Sequence, residues 1–276
     1  MPLPAHPFFR ELQPTAHIAH RGGAALAPEN TLPAFHLAVE RFRTDIVELD
    51  VHLSSDGVPV VAHDANLERC TNGVGAIAQT QWAKLQTLDA GYRFSADGGR
   101  SHPFRGQSVR IPSLQQVLGE LGRTRFNIEL KCEEPGAELV FADCIRTAGA
   151  VSRVCVGSEH DDVAARLVTA LPEACFFYPR QALTKLVMTL RSGGAWTGDE
   201  PFVVLDMPLE FGGVRLVDRT LIEQTRRLGR WVNVWTIDDP KEMRSLVAQG
   251  VGGIMSDRPD LLREVLDAAP RPVPVS

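Results

Sequence analysis

The chain has little of what marks several large classes of protein. It carries a formal net charge of −5 over 276 residues, so it has no basic surface of the kind that binds nucleic acid. No apolar run approaches the roughly 20 residues that span a bilayer. The N-terminus also lacks the basic region and apolar run of a signal peptide. We therefore expect a soluble, cytoplasmic protein without stable membrane association.

Paired cysteines and glycine-rich nucleotide motifs are missing as well. The five cysteines are odd in number and include no C-x-x-C spacing, which argues against a disulfide framework and for reduced, mostly buried thiols. Neither G-x-G-x-x-G nor G-x-x-x-x-G-K-[ST] follows a predicted strand. This absence disfavours the common nucleotide-binding folds.

What the chain does contain is a regular alternation of strand-like and helix-like segments. Eight predicted strands are each followed by a predicted helix: 16–20, 45–53, 125–130, 153–158, 174–178, 202–208, 231–237 and 253–256. Such alternation predicts a parallel sheet with right-handed crossovers, and eight units favour a closed (β/α)₈ TIM barrel. One extra β segment, 58–63, and an irregular stretch, 64 to about 110, interrupt the pattern. We therefore expect a single domain over 1–276 with a small insertion after the second strand.

Polar residues lie at the carboxyl ends of these strands, where barrels of this type carry their active sites. They are His20 and Arg21, Glu48 and Asp50, His63 and Asp64, Asn127, Glu129 and Lys131, Asn233 and Trp235, and Ser256 and Asp257. Each group alone has a plain structural explanation; Glu129 and Lys131, for example, could simply pair with each other. Charged residues are rarely buried without partners, however, so their convergence on one barrel end predicts a functional site.

Three of these residues suit a divalent cation. Glu48, Asp50 and Glu129 offer hard oxygen ligands from two strands, which favours one Mg²⁺ or Ca²⁺ ion, with Mn²⁺ as an alternative. Zinc is disfavoured because no cysteine and no regular histidine spacing joins the set.

The remaining charged residues suit a phosphate ester. Arg21 and Lys131 add positive charge beside the carboxylates, as is typical of phosphoryl binding. His20 and His63 come from different strands and could act as a general acid–base pair near neutral pH. Together these residues predict metal-assisted cleavage of a phosphodiester.

Seven stretches of the chain carry a family resemblance: "AHRG" with "PENT" (19–31), "VELDVHLSSDGVPVVAHD" (47–64), "LERCTNG" (67–73), "IPSLQQVL" (111–118), "NIELK" (127–131), "VNVWTID" (232–238) and "GVGGIMSDRPDLL" (250–262). In these the chain resembles the glycerophosphodiester phosphodiesterases, metal-dependent TIM barrels that hydrolyse glycerophosphodiesters to sn-glycerol 3-phosphate and an alcohol. The resemblance covers most of the chain apart from the first dozen residues and 175–215.

The resemblance implies a role for each candidate residue. It makes His20 and His63 the acid–base pair, Glu48, Asp50 and Glu129 the ligands of one divalent metal ion, Arg21 and Lys131 phosphate contacts, and Trp235 a residue lining the glycerol or alcohol side. It also implies that the 64–110 insertion lies over the active site. Cys70 and His52 depart from the common pattern, and we expect a supporting role at most for His52.

Two other functions fit the same sequence. A lysophospholipase D would need an apolar rim, for which Phe104, 176–178 and Phe211 are candidates, although each is more simply explained by packing. A non-catalytic phosphate-ester-binding barrel is disfavoured because all three carboxylates and both histidines are present. The sequence leaves open which histidine is the base, whether a cyclic phosphate forms, which alcohol is released, and the oligomeric state.

Overall fold

The computed structural model describes residues 4–198 and 200–269. Eight parallel strands form its central sheet: β1 Ala16–Ala19, β2 Ile46–Leu53, β3 Arg125–Leu130, β4 Val154–Gly157, β5 Cys175–Phe177, β6 Phe202–Pro208, β7 Trp231–Trp235 and β8 Gly253–Ser256. Consecutive strands pair in chain order, and β1 pairs with both β2 and β8. The sheet therefore closes on itself, which confirms the predicted (β/α)₈ barrel.

A helix follows each strand on the outside of the barrel. These helices are α1 Leu32–His36, α2 Leu114–Glu120, α3 Ala137–Thr147, α4 Asp161–Ala170, α5 Arg180–Arg191, α6 Arg219–Arg227, α7 Pro240–Gln249 and α8 Pro259–Ala268. Helix α1 continues as a π-helical turn over Leu37–Arg41. Ser113 starts α2 with a reciprocal capping box to Gln116.

The segment between β2 and α2 has a small core of its own. It begins with a short strand, Pro59–Val61, which pairs antiparallel with β2 and corresponds to the predicted extra β segment. Beyond it, a 3₁₀ turn at Ile77–Gln79 and a short helix at Trp82–Leu85 pack around a separate apolar cluster that includes Leu67, Ile77 and Leu85. The insertion is therefore packed as a unit.

Two of the elements that were not predicted lie at opposite ends of the barrel. A 3₁₀ turn at Pro7–Phe9 places Phe8 and Phe9 against the residues that begin the barrel strands, and Phe9 lies 5.4 Å from the Trp231 ring centroid. A two-stranded hairpin, Glu210–Phe211 with Val214–Arg215, extends from the carboxyl end of β6. Phe8, Phe9 and Leu12 form an apolar plug that closes the amino end of the barrel. The interior becomes polar toward the carboxyl end.

The cysteines agree with the expectation of reduced thiols. All five are free; Cys132, Cys155 and Cys175 are buried, and Cys70 and Cys144 are half-buried. None of the helices in the described part of the chain combines the length and the apolar character needed to cross a bilayer.

His17 makes the stability of the barrel depend on pH. Its ring is fully buried, with Nδ1 2.9 Å from Thr44 Oγ1 and Nε2 2.8 Å from the Pro259 carbonyl. Burial lowers the pKa of His17 from 6.5 to about 4, so the folded chain favours the neutral ring. The stabilisation is complete above the unfolded pKa and is lost as the pH falls from there toward about 4.

We expect His17 to remove about 3 kcal/mol of unfolding free energy between pH 7 and pH 4. Urea unfolding of the wild type and of His17→Gln at several pH values measures this contribution. The variant should be less stable at pH 7 but should lose less stability on acidification. Equal slopes for the two proteins would contradict the assignment.

Candidate active site

The strand register brings the predicted carboxylates to one part of the barrel interior. Glu48 and Asp50 lie two positions apart on β2, so both side chains point to the same face. On β3, Asn127 is in register with Glu48, and Glu129 with Asp50. The acidic residues of these two strands therefore face the same interior space.

The end of β1 turns sharply into the site. His20 begins a 3₁₀ turn in which Arg21, Gly22 and Gly23 all have positive φ, of 50°, 83° and 99°. A Cβ on Gly22 would lie 2.7 Å from the Phe35 ring, so a side chain there meets both backbone strain and α1. This turn directs the Arg21 amide to Glu48 Oε2 at 2.8 Å.

Lys131 pairs with two of the three carboxylates. Its Nζ lies 2.7 Å from Glu129 Oε2 and 3.3 Å from Asp50 Oδ1. Asp50 also accepts a hydrogen bond of 3.0 Å from the Asn30 amide. Asn30 therefore holds the site together and does not cap α1.

The third carboxylate has weaker positive partners. The nearest ring nitrogen, His20 Nε2, is 3.9 Å from Glu48 Oε2. Burial, together with the charge of Asp50, raises the pKa of Glu48 to about 8. Burial also raises the pKa of Glu129, whereas at Asp50 the effect of burial is outweighed by Lys131 and Arg21, which hold its pKa below the usual value.

The oxygen donors of Glu48, Asp50 and Glu129 therefore fit a cation, although their positions do not form a complete coordination site. Burial raises the pKa of Glu48 and of Glu129, so added positive charge would favour their ionised forms, and hard oxygen donors are those that Mg²⁺ and Ca²⁺ prefer. Within residues 4–198 and 200–269, no three His, Cys, Asp or Glu side chains are arranged as a ready-made metal site. Lys131 contacts two of the carboxylates instead.

Both predicted histidines are oriented by an aspartate. His20 Nδ1 lies 2.7 Å from Asp257 Oδ1, and His63 Nδ1 lies 2.7 Å from Asp64 Oδ1. Each contact leaves Nε2 available for a ligand. Burial acts to lower the pKa of His20, but the charges of Glu48 and Asp257 outweigh it and hold the pKa above the usual value.

Neighbouring polar groups hold these pairs in place. Asp238 accepts hydrogen bonds from the Asp257 amide at 2.9 Å and from the Ser256 hydroxyl at 2.8 Å, which fixes the loop after β8. His52 Nε2 lies 3.0 Å from the His63 carbonyl and so supports the chain that carries His63. The positions of Asp64 and Asp257 at strand ends were predicted from the sequence, but their contacts with His63 and His20 were not.

Comparison with known proteins assigns the family. The model of the glycerophosphoryl diester phosphodiesterase family matches residues 20–261. The chain belongs to this family. It is therefore a phosphoric diester hydrolase, as the sequence motifs indicate.

Full-length relatives of this diesterase are similar along nearly all of the chain. A probable glycerophosphodiester phosphodiesterase 2 of Mycobacterium tuberculosis is 30% identical over 91% of this chain and 90% of its own length. A glycerophosphodiester phosphodiesterase of Caldanaerobacter subterraneus is 31% identical over 90% and 96%. A crystal structure of an Oleispira antarctica phosphodiesterase, in complex with the product sn-glycerol-3-phosphate, superposes with a TM-score of 0.72 at 28% identity, covering 94% and 99%.

The apolar residues considered for the rim of the diesterase site differ in their exposure. Trp235 ends β7 at 41% exposure, beside Pro208 of β6 in the sheet register. Phe211 is exposed on the hairpin that follows β6. The other rim candidates are packed: 176–178 are buried, and Phe104 stacks edge-to-face on Phe94 at 5.3 Å.

A half-buried carboxylate that was not predicted from the sequence connects three strands of the diesterase barrel. Asp206 on β6 accepts hydrogen bonds from the amide groups of Asn127 at 2.7 Å and Asn233 at 2.8 Å. The Trp231 indole donates in turn to Asn233 Oδ1 at 2.7 Å. Burial raises the pKa of Asp206 to about 6. An aspartate inside the apolar run "FVVLDMP" was the available signal, of the same kind as Glu48 in β2.

The Asp206 network should tolerate an amide far better than an apolar side chain. Asn127 Oδ1 is buried and has no hydrogen-bond partner among the described residues, so this amide can rotate to accept from Asp206→Asn. We expect Asp206→Asn to cost less than about 1 kcal/mol, and Asp206→Leu, which strands two amides, to cost about 2 to 4 kcal/mol. Urea unfolding at pH 7 measures both. Equal losses in the two variants would contradict this network.

Proposed function

We propose that the protein hydrolyses glycerophosphodiesters to sn-glycerol 3-phosphate and an alcohol by general acid–base catalysis with His20 and His63. The main observation that supports this proposal is that two histidines from separate loops are each oriented through Nδ1 by an aspartate. Arg21, Lys131 and a buried carboxylate cluster lie in the same part of the barrel. The product complex of the Oleispira antarctica relative supports the same product for this chain.

Glu48, Asp50 and Glu129 would hold one divalent cation, Mg²⁺, Ca²⁺ or Mn²⁺. The raised pKa values of Glu48 and Glu129 support this assignment, because both carboxylates gain from additional positive charge. When bound, the ion would supply positive charge to a phosphoryl oxygen. Lys131 and Arg21 would supply the remaining charge from the protein.

The reaction needs one proton removed and one delivered. The Nε2 atom of one histidine takes the proton of the attacking hydroxyl while the new P–O bond forms. The Nε2 atom of the other donates a proton to the leaving alkoxide as the old P–O bond breaks. Asp257 and Asp64 keep each ring turned so that Nε2, and not Nδ1, carries the exchanged proton. If the attacking group is a water molecule, sn-glycerol 3-phosphate forms directly; if it is the 2-hydroxyl of the glycerol, a cyclic phosphate forms, and water then opens it to the same product. Trp235 lines the glycerol or alcohol side.

Removing either histidine should slow turnover strongly without removing the cation. We expect His20→Ala and His63→Ala to lower kcat by roughly 10²- to 10⁴-fold, the usual contribution of a positioned acid or base. Calorimetric titration with Mn²⁺ should give an affinity near that of the wild type. His36→Ala is the matched control, because His36 pairs with Glu40 and Glu120 on the surface. A His63→Ala enzyme that hydrolyses glycerophosphocholine at the wild-type rate would refute the assignment.

Chelation should abolish activity reversibly. We expect no release of sn-glycerol 3-phosphate from glycerophosphocholine after treatment with EDTA, and recovery with at least one of Mg²⁺, Ca²⁺ and Mn²⁺. Glu129→Gln should need a higher cation concentration for half-maximal rate, whereas the surface control Glu120→Gln should not. Full activity in metal-free enzyme would overturn the cation requirement.

The substrate class is tested by a panel of glycerophosphodiesters beside lysophosphatidylcholine. Faster hydrolysis of the unacylated esters supports the proposal. A preference for the lysophospholipid would replace it by a lysophospholipase D activity. Binding of the esters without turnover by any of the metals would indicate a non-catalytic barrel.

A further inference from the structure

Arg69 contacts two carboxylates that come from different parts of the site. It follows the strand Pro59–Val61, near the start of the insertion. Its Nη1 and Nη2 atoms lie 2.6 and 2.7 Å from the two oxygens of Glu29. Its Nη2 also donates to Asp64 at 3.1 Å, and its Nε donates to the other oxygen of Asp64. One planar guanidinium therefore makes two bidentate contacts at once, which a lysine cannot do.

Each of these carboxylates also contacts a residue assigned to the reaction. Glu29 Oε1 accepts from Arg21 Nη1 at 3.0 Å, and Asp64 Oδ1 lies 2.7 Å from His63 Nδ1. The contacts form a continuous chain with Arg69 at its centre. The phosphate-binding arginine stands at one end of the chain and a proton-transferring histidine at the other.

The loop that carries Glu29 and the loop that carries His63 and Asp64 face each other. Glu29, His63 and Asp64 line a shared cavity of about 30 Å³, which has room for about one water molecule. Arg69 holds both carboxylates in the ionised form, since its hydrogen bonds keep the pKa of Glu29 below the usual value against the effect of burial and lower that of Asp64 to about 2. The arginine therefore sets both the charge and the position of its partners.

We propose that Arg69 is a positioning residue that fixes Glu29 and Asp64 to each other and thereby aligns Arg21 with His63. This inference rests on the proposed function, because it assigns phosphate binding and proton transfer to the two ends of the chain. The Arg69 side chain is 46% exposed, so solvent screens its side of both ion pairs and limits what they contribute to stability. Misplacing a reacting group by about 1 Å, by contrast, can cost 10²-fold in rate. Its loss should therefore be visible in kinetics and not in folding.

The test compares Arg69→Ala with variants of the two carboxylates. Glu29→Gln should mainly raise KM through Arg21, and Asp64→Asn should mainly lower kcat through His63. Arg69→Ala should do both, with kcat lower by about 10- to 100-fold. The double variant Glu29→Gln/Arg69→Ala should have a KM no higher than that of Arg69→Ala alone. Arg69→Lys should recover only part of the loss, because an ammonium group cannot span both carboxylates.

Controls separate positioning from folding. Arg110→Ala removes another insertion arginine, one that donates to the Leu88 carbonyl at 3.1 Å, and should keep wild-type kinetics. Added ethylguanidine should partly restore kcat in Arg69→Ala and leave the wild type and Arg110→Ala unchanged. Wild-type kcat and KM in Arg69→Ala, or an activity loss that follows a lowered Tm and resists rescue, would overturn the inference. A wild-type enzyme inactive in the same assay would overturn the proposed function instead.

Discussion

The clustering of three carboxylates inside a closed barrel, two of them buried and Glu129 half-buried, is the constraint on which the other features of the site depend. Charges at this depth need partners, because desolvation of an ionised carboxylate is costly. Lys131 contacts two of them, and the turn after β1 brings the Arg21 amide to the third. Asn30, from the loop before α1, adds an amide donor to Asp50. The loop conformations around the mouth thus follow from the need to keep Glu48, Asp50 and Glu129 hydrogen-bonded.

The same constraint explains why the positive charges are themselves restrained. Arg21 and Arg69 do not extend freely into solvent but are held by Glu29, which in turn keeps its own charge through them. The site is a network of alternating charges in which each side chain limits the movement of the next. Such networks give fixed geometry more readily than they give large stability, because exposed members contribute little free energy.

Strand order and strand face were predictable because they depend on local patterns. The alternation of segments predicts the barrel, and the two-residue spacing places Glu48 with Asp50 on one face. The aspartates that orient the histidines were harder, because Asp257 is 237 residues from His20 and meets it only when the barrel closes. The hairpin at 210–215 and the plug at 7–9 were not predicted from the sequence, for a similar reason. Both are too short for a periodic signal, and their roles depend on contacts across the barrel.

The apolar plug at the amino end has a consequence for traffic through the barrel. Within the described residues, Phe8, Phe9 and Leu12 pack against the first residues of the strands and close this end of the barrel, so the polar interior faces the carboxyl ends. A substrate and its products would therefore pass through the same opening at the carboxyl ends of the strands. Substrate entry and product release therefore use the same opening and cannot occur at the same time. A molecule that lingers after the reaction competes directly with the next arrival.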